Sequence, residues 1–200
     1  MMVKVLQNRL ETEDHTEWVL IEPIEFAWEV ESVGRGFTDP KSSAYLSRLA
    51  RQVQDGVTAI WFPLNVYGSH WIAGKVDFEE RTFAFGELRF SVTRNQGSLL
   101  VVGDSMATPG TARPPAEALK GLRRWFQEQF GWKLLDVGNT LERPFQPDSY
   151  SCAICAMNTI SHGIFNDPLW TSREASVHRI RWLLKLNEHE GLAVTKEPVS

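Results

Sequence analysis

The sequence predicts an α+β domain, with a few strands in the middle of the chain and helices towards either end. Three observations carry this. Apolar residues recur with helical spacing near both termini, through Val3, Leu6 and Leu10 and again through Val177, Ile180, Leu183, Leu184 and Leu186. Between them, Val57–Val66 is a continuous apolar run of strand length, followed by two shorter runs that read as a hairpin. Late in the chain a polar, proline-containing loop, Gln146–Ser151, leads into Cys152 and a small-residue apolar segment.

In order, Met2–Leu10 is an amphipathic helix that begins inside its own pattern, so the N-terminus reads as truncated. Trp18–Phe26 is apolar and extended, interrupted by Pro23. Asp39-Pro40 opens a helix through Tyr45, Leu46, Leu49 and Val53, with Gly56 just beyond it. Pro63 lies inside the Val57–Val66 run and cannot donate to a ladder, which predicts an edge position or a bulge. Tyr67-Gly68-Ser69 turns the chain into His70–Val76, which pairs with Arg81–Phe85 around Asp77–Glu80. Gly86–Gly103 is polar and weakly patterned in its middle and ends in the strand-like Leu99–Val102. A Pro/Gly/Thr loop follows, then a helix over Ala116–Phe130 and a strand over Trp132–Val137. After Cys152, the spacing of Ala153, Ile154, Ala156, Met157 and Ile160 is helical, and Asn166-Asp167-Pro168 breaks that helix. The last helix is amphipathic, and Gly191–Ser200 is a frayed tail.

Composition narrows the class. At 200 residues, 42% hydrophobic and 23% charged, the chain suits one soluble domain with a real core. A net charge of −4 gives no bulk attraction to nucleic acid. No apolar run approaches the roughly 20 residues of a membrane span, and the start has no signal-peptide form. Two cysteines three positions apart make no disulfide framework, so an intracellular compartment, nuclear or cytoplasmic, is expected. The 8 Trp and 11 Phe imply a dense aromatic core or an aromatic-lined groove.

The chemistry centres on Cys152. Asp148, Ser149 and Ser151 are all candidate N-caps, so Cys152 falls in the first turn of a buried helix. The N–H groups and dipole of a helix N-terminus favour thiolate over thiol. His70, in Ser69-His70-Trp71, offers a base. Three other readings stay open on the residues alone. Cys152 could be a small buried core residue, as most cysteines are; His70 could be a strand histidine and Gln146 a loop amide. Cys152-Ala153-Ile154-Cys155 could be a redox or metal CxxC. Two cysteines do not complete a structural zinc site, no HxxxH pair supports one, and the thioredoxin-like βαβ context is missing.

Taken together, His70-Trp71, then Gly103-Asp104-Ser105, then Gln146 six positions before Cys152 resemble the Ulp1/SENP family of cysteine proteases. The order His, Asp, Gln, Cys matches, as do Pro63-Leu64-Asn65 before the histidine and the block Gln146–Cys152. The resemblance covers roughly residues 1–190, read as one protease domain with 191–200 as tail. It implies a papain-like fold of the Ulp1 type, with a central mixed sheet between N- and C-terminal helices. It also implies cleavage after the C-terminal glycine of SUMO or a related ubiquitin-like protein, by a monomer needing no metal or cofactor. Cys152 would be the nucleophile, His70 the proton carrier, Asp104 the residue orienting His70, and Gln146 an oxyanion donor. Trp71 would line the channel for the substrate tail.

Three features depart from the family pattern. Ala153 stands where glycine usually follows the nucleophile. The Trp-Leu motif that normally precedes the first helix is absent. His70 and Asp104 are about twice as far apart as usual. Without Glu87 to Gly103 the chain would read Phe83-Ala84-Phe85-Gly86-Asp104-Ser105-Met106, the family's ordinary run. This insert reads either as a surface loop, whose closure entropy grows slowly with length, or as a retained intron; if the insert stays, Glu87 is the rival acid, since it sits where the hairpin ends. A catalytically impaired ubiquitin-like-binding protein, or a transposon-associated relative of the same fold, is the alternative function.

Overall fold

The computed structural model of the chain describes residues 2–13, 18–66, 68–86, 114–144, 150–171 and 173–189. Among them are six helices and one five-stranded sheet in the order β1-β2-β3-β4-β5. The strands are β1 Val19–Ile21, β2 Ala59–Val66, β3 His70–Asp77, β4 Thr82–Gly86 and β5 Leu135–Asn139. β2, β3 and β4 pair antiparallel, whereas β1 on β2 and β5 on β4 are parallel. The helices are α1 Met2–Thr12, α2 Ile24–Arg35, α3 Ala44–Gln54, α4 Ala116–Phe130, α5 Cys152–Phe165 and α6 Ala175–His189. The mixed sheet between helical layers is the α+β architecture expected. The strand-like Leu99–Val102 and the insert from Glu87 to Gly103 lie outside the described residues.

The apolar run of β2 is continuous because both faces of the sheet are covered. Ile60, Phe62, Leu64 and Val66 enter a first core with Ile72 and Val76 of β3, Phe83 and Phe85 of β4, and Phe26, Leu46, Trp125 and Phe126 of α2, α3 and α4. Ala59 and Trp61 turn the other way, into a second core with Ala73, Met157 and Ile160 of α5, Leu6 of α1 and Trp182 of α6. Pro63 costs no ladder bond. The Trp61 carbonyl faces β1, where it accepts the Glu22 N–H at 2.8 Å. Two residues on, the Pro63 nitrogen faces the same side, past the last β1 pair, Ile21 with Trp61. The edge position predicted for Pro63 is therefore local to the end of a three-residue neighbour.

Three expectations are corrected. The Trp18–Phe26 stretch is extended only over β1. Pro23 ends the strand and becomes the N-cap of α2, with Glu25 in the first turn where the helix dipole favours an acid. The helix expected to open at Asp39-Pro40 opens at Ala44. Asp39 instead organises a turn, its carbonyl accepting the Ser42 and Ser43 N–H groups at 3.1 Å. Ser43 then caps α3 by accepting the Leu46 N–H at 3.2 Å. In α6 the apolar stripe Val177, Ile180, Leu183 and Leu184 is exposed, and Trp182 is what the helix buries. His178, one turn earlier on the same side, stacks on Trp170 at 4.1 Å and 5°.

Two packing devices hold the layers. The first is a backbone contact between α2 and α4. A Cβ on Gly34 would lie 1.8 Å from the Glu117 carbonyl oxygen, and one on Gly121 would lie 1.6 Å from that of Val30. Each glycine thus makes room for the other helix's main chain. The second device is polar, at the far end of α5. Asp167 accepts from Arg9 of α1 at 2.6 Å and from Ser161 of α5. Burial pushes the Asp167 carboxyl up, but these hydrogen bonds and the charges of Arg9 and Lys185 outweigh it and hold the group below its ordinary range.

Alanine favours helix over glycine by about 1 kcal/mol, yet Gly34→Ala and Gly121→Ala should each destabilise, because the added methyl meets rigid backbone. The expected cost is about 2–3 kcal/mol, a fall in Tm of roughly 5–10 °C; an unchanged Tm would show that α2 and α4 can part freely. For Asp167, a lowered folded pKa adds stability above the unfolded value, near about pH 4, which is lost as pH falls through the folded value. Asp167→Asn should therefore cost about 1 kcal/mol in urea unfolding at pH 7, and the gap to the parent should narrow in acid.

Candidate active site

α5 begins at Cys152. Ser151 is its N-cap, with φ −89 and ψ 6, and the Ser151 carbonyl accepts the Cys155 N–H at 2.9 Å as the first bond of the helix. Of the three N-cap candidates the position falls to Ser151; Asp148 and Ser149 lie outside the described residues. Small side chains at Ala153 and Ala156 let the helix approach the sheet, and every residue from Cys155 to Ser161 is buried. Farther along, Gly163 lies against the Trp61 ring, where a Cβ would come within 2.2 Å. The first backbone N–H groups of a helix have no intrahelical acceptor, so Cys152 sits where amides and the positive end of the dipole collect.

β3 supplies the facing wall. His70 is its first residue and is half-buried, paired in register with Val66 across the hairpin. Trp71 follows and packs against Cys152 and Cys155, which form a small buried cluster of their own. Cys152 is 5% exposed and Cys155 2%. Beside this contact opens a groove of about 480 Å³, lined by Trp71, Ala153 and Met157, by Pro63, Pro23 and Ile24, and by Met2, Val3 and Gln7 of α1. Lys4 and Glu25 put both charge signs on its lining. A second cavity of about 290 Å³, bounded by Asp167, Trp170, His178 and Arg181, lies at the other end of α5.

The residues singled out in sequence are thus partly assembled. Cys152 and Trp71 touch through one cluster, and His70 adjoins Trp71 at the same end of the sheet. Asp104, Gln146 and the rival acid Glu87 lie outside the described residues. Sequence reasoning missed the groove's other wall. The N-terminal helix was legible from Val3, Leu6 and Leu10, but its contribution at Met2, Val3 and Gln7 was not. Pro23, read only as an interruption, was the available signal for the α2 N-terminus that forms the groove's rim.

The geometry can be set beside known proteins. The model of the Ulp1 protease family, C-terminal catalytic domain, matches residues 42–193. No curated protein matches the chain. Among solved structures, the C-terminal Ulp1 protease domain in complex with Smt3, the yeast ortholog of SUMO, superposes with a TM-score of 0.52 at 19% identity, covering 87% of this chain and 69% of that one. The SUMO protease Ulp1 with its catalytic cysteine oxidised to a sulfenic acid gives a TM-score of 0.53 at 19% identity, covering 88% of this chain and 72% of that one. At such identity the structural likeness is one of fold.

Cys152 opens α5, next in sequence to Ala153 of the groove wall, whereas Cys155 lies most of a helical turn deeper. A small alkylating reagent at neutral pH should therefore modify Cys152 first, read by fragment-ion mapping after partial reaction. Equal rates at the two positions would mean that Cys155 is as accessible as Cys152.

Proposed function

Because the chain belongs to the Ulp1 protease family and is a cysteine protease domain, we propose that it is a thiol isopeptidase acting on SUMO or a closely related ubiquitin-like protein. The observation that carries this reading is the placement of Cys152 at a buried helix N-terminus against Trp71, beside an apolar groove. A glycine-terminated tail has no side chains to clash with Trp71, Pro63 and Ala153 and can lie as extended backbone along them. The solved relative bound to Smt3 supports a modifier of this class as partner.

In this reading Cys152 attacks the carbonyl carbon of the terminal glycine and forms an acyl-enzyme. His70 takes the thiol proton and returns it to the leaving amine. Side chains alternate along β3, so His70 starts on the side of Ile72, and this reading requires its ring to turn round the strand end to reach Cys152. Asp104 orients and charge-stabilises the imidazole. Gln146 donates its amide N–H to the oxyanion beside the backbone N–H of Cys152. Trp71 holds the substrate tail. Residues 1–190 form the single domain that does this, and Ala153, small and helix-compatible, serves where the family has glycine.

The test is cleavage of a panel of ubiquitin-like precursors, with a SUMO derivative bearing a C-terminal electrophile to trap the thiol. Cys152→Ser should abolish both cleavage and trapping, since a serine hydroxyl does not ionise beside an imidazole as a thiol does. Gln146→Ala should lower kcat by about 10²–10³, because the backbone donor remains. Asp104→Asn should fall between the two. Activity lost with Glu87→Gln but kept with Asp104→Asn would transfer the orienting role to Glu87. A folded parent chain that cleaves no precursor and traps no probe would replace the isopeptidase reading with that of a catalytically impaired binding protein.

A further inference from the structure

Tyr150 is the last exposed residue before the site helix. It is 69% exposed, whereas the next two residues, Ser151 and Cys152, are 2% and 5% exposed. The chain thus passes from solvent into the core within one residue, and the place where Tyr150 stands sets how Ser151 and Cys152 enter. We propose that Arg179 of α6 is a positioning residue for Cys152, acting through the Tyr150 ring. The inference rests on the reading of Cys152 as the reactive thiol and adds a residue that lies outside the sequence motifs and outside the groove.

Three features of the fold carry it. The Arg179 Cζ lies over the Tyr150 ring, 4.9 Å from its centroid. The ring quadrupole attracts a cation there, and a guanidinium keeps its charge at every working pH. Arg179 is itself held: it is half-buried and donates to the Ser176 hydroxyl at 3.3 Å, three residues earlier on α6. The helix behind it is tied to α5. Trp182 is buried in the second core with Met157 and Ile160 of α5. His178, next to Arg179, stacks on Trp170 at 4.1 Å, and the Trp170 N–H donates to Asn158 of α5 at 3.0 Å. Arg179 therefore references Tyr150 to the body of the same helix that Cys152 begins.

The consequence falls on the helix terminus. Tyr150 leads directly into Ser151, the N-cap, whose carbonyl takes the first helical bond from the Cys155 N–H at 2.9 Å. A shift of Tyr150 turns this cap and moves Cys152 relative to the free amides at the helix start. Those amides favour the thiolate, so a looser cap raises the thiol pKa and leaves less nucleophile at neutral pH. Neither Tyr150 nor Arg179 lines the groove beside Trp71. Loss of their contact should therefore act on kcat and not on the binding of the substrate tail.

The experiment compares purified full chains carrying Arg179→Met, Arg179→Lys, Tyr150→Leu, Tyr150→Phe and the Arg179→Met, Tyr150→Leu pair. The pH profile of iodoacetamide capture, mapped to Cys152 by mass spectrometry, gives the thiol pKa; cleavage of a SUMO precursor gives kcat and KM. Arg179→Met keeps most of the stem and removes the charge. It should move the capture profile to higher pH and lower kcat roughly three- to tenfold, with KM unchanged. Arg179→Lys and Tyr150→Phe, which keep a cation and a ring face, should stay within about twofold of the parent. The double variant should be no worse than Tyr150→Leu alone, because both substitutions remove one contact. Tyr150 is exposed, so Tyr150→Leu tests the contact even if Arg179→Met does not fold. A capture profile unmoved in either variant, losses that multiply in the double variant, or a change confined to KM would overturn the proposal. A shifted profile in a chain that cleaves no precursor would sink the isopeptidase reading alone, and an unshifted one in an active chain would sink the positioning role alone.

Discussion

The burial of α5 is the constraint on which the rest of the structure depends. The helix is small or apolar on nearly every side, so it has no face to give to water and must be covered all round. The sheet covers one side through Trp71, Ala73 and Trp61, and α1 and Trp182 of α6 contribute to the other. This enclosure carries Cys152 to the sheet end where Trp71 stands. A cysteine at the start of a surface helix would have the same amides but no wall beside it.

Enclosing a helix also buries its polar groups, and the fold finds each a partner. Asn158, buried on α5, donates to the Pro168 carbonyl at 3.2 Å and accepts from the Trp170 N–H at 3.0 Å, so the segment after the helix folds back along it. Thr159 returns its hydroxyl to the Cys155 carbonyl at 3.1 Å. His162 meets the Asp167 carbonyl at 2.7 Å, while the Asp167 side chain takes Arg9 and Ser161. Unmet, such groups would each cost about 1–3 kcal/mol. Met, they set the axial position of α5, and with it the depth of Cys152 behind the groove.

The opposite face of the sheet is built differently. There α2 and α4 approach until backbone meets backbone at Gly34 and Gly121, and an aromatic cluster fills the space between them and the strands. Phe26 meets Phe62 edge-on with ring centroids 4.7 Å apart, and Phe78 stacks on Phe126 at 5.2 Å. This layer contributes nothing to the cysteine cluster directly. It holds β2 and β3 rigid from behind, so that the end of β3 presents Trp71 to α5 in one geometry. The two layers divide the work between fixing the sheet and placing Cys152.

Much of this was legible in the chain. The continuous run of β2, the β3–β4 hairpin, the α4 helix and the start of α5 at Cys152 follow from local pattern, because each has a single strong period and a clear boundary. The resemblance to a protease family was readable because it rests on residue order, which survives when the spacing between motifs changes. Other features were not readable. Pro23 breaks a strand and starts a helix equally well, and only the short parallel pairing of β1 with β2 decides between them. The stripe on α6 looked like a buried face because periodicity shows that a helix has two sides, whereas packing decides which side is used; Trp182 won. The glycine contact between α2 and α4 joins positions 87 residues apart, since Gly34 and Gly121 meet only when both helices lie on one face of the sheet. The sequence by itself determined which residue types could do the chemistry and on which local elements they sit. Tertiary structure alone decided what faces them, because the groove beside Cys152 is made by side chains from four separate parts of the chain, and no local pattern records their approach.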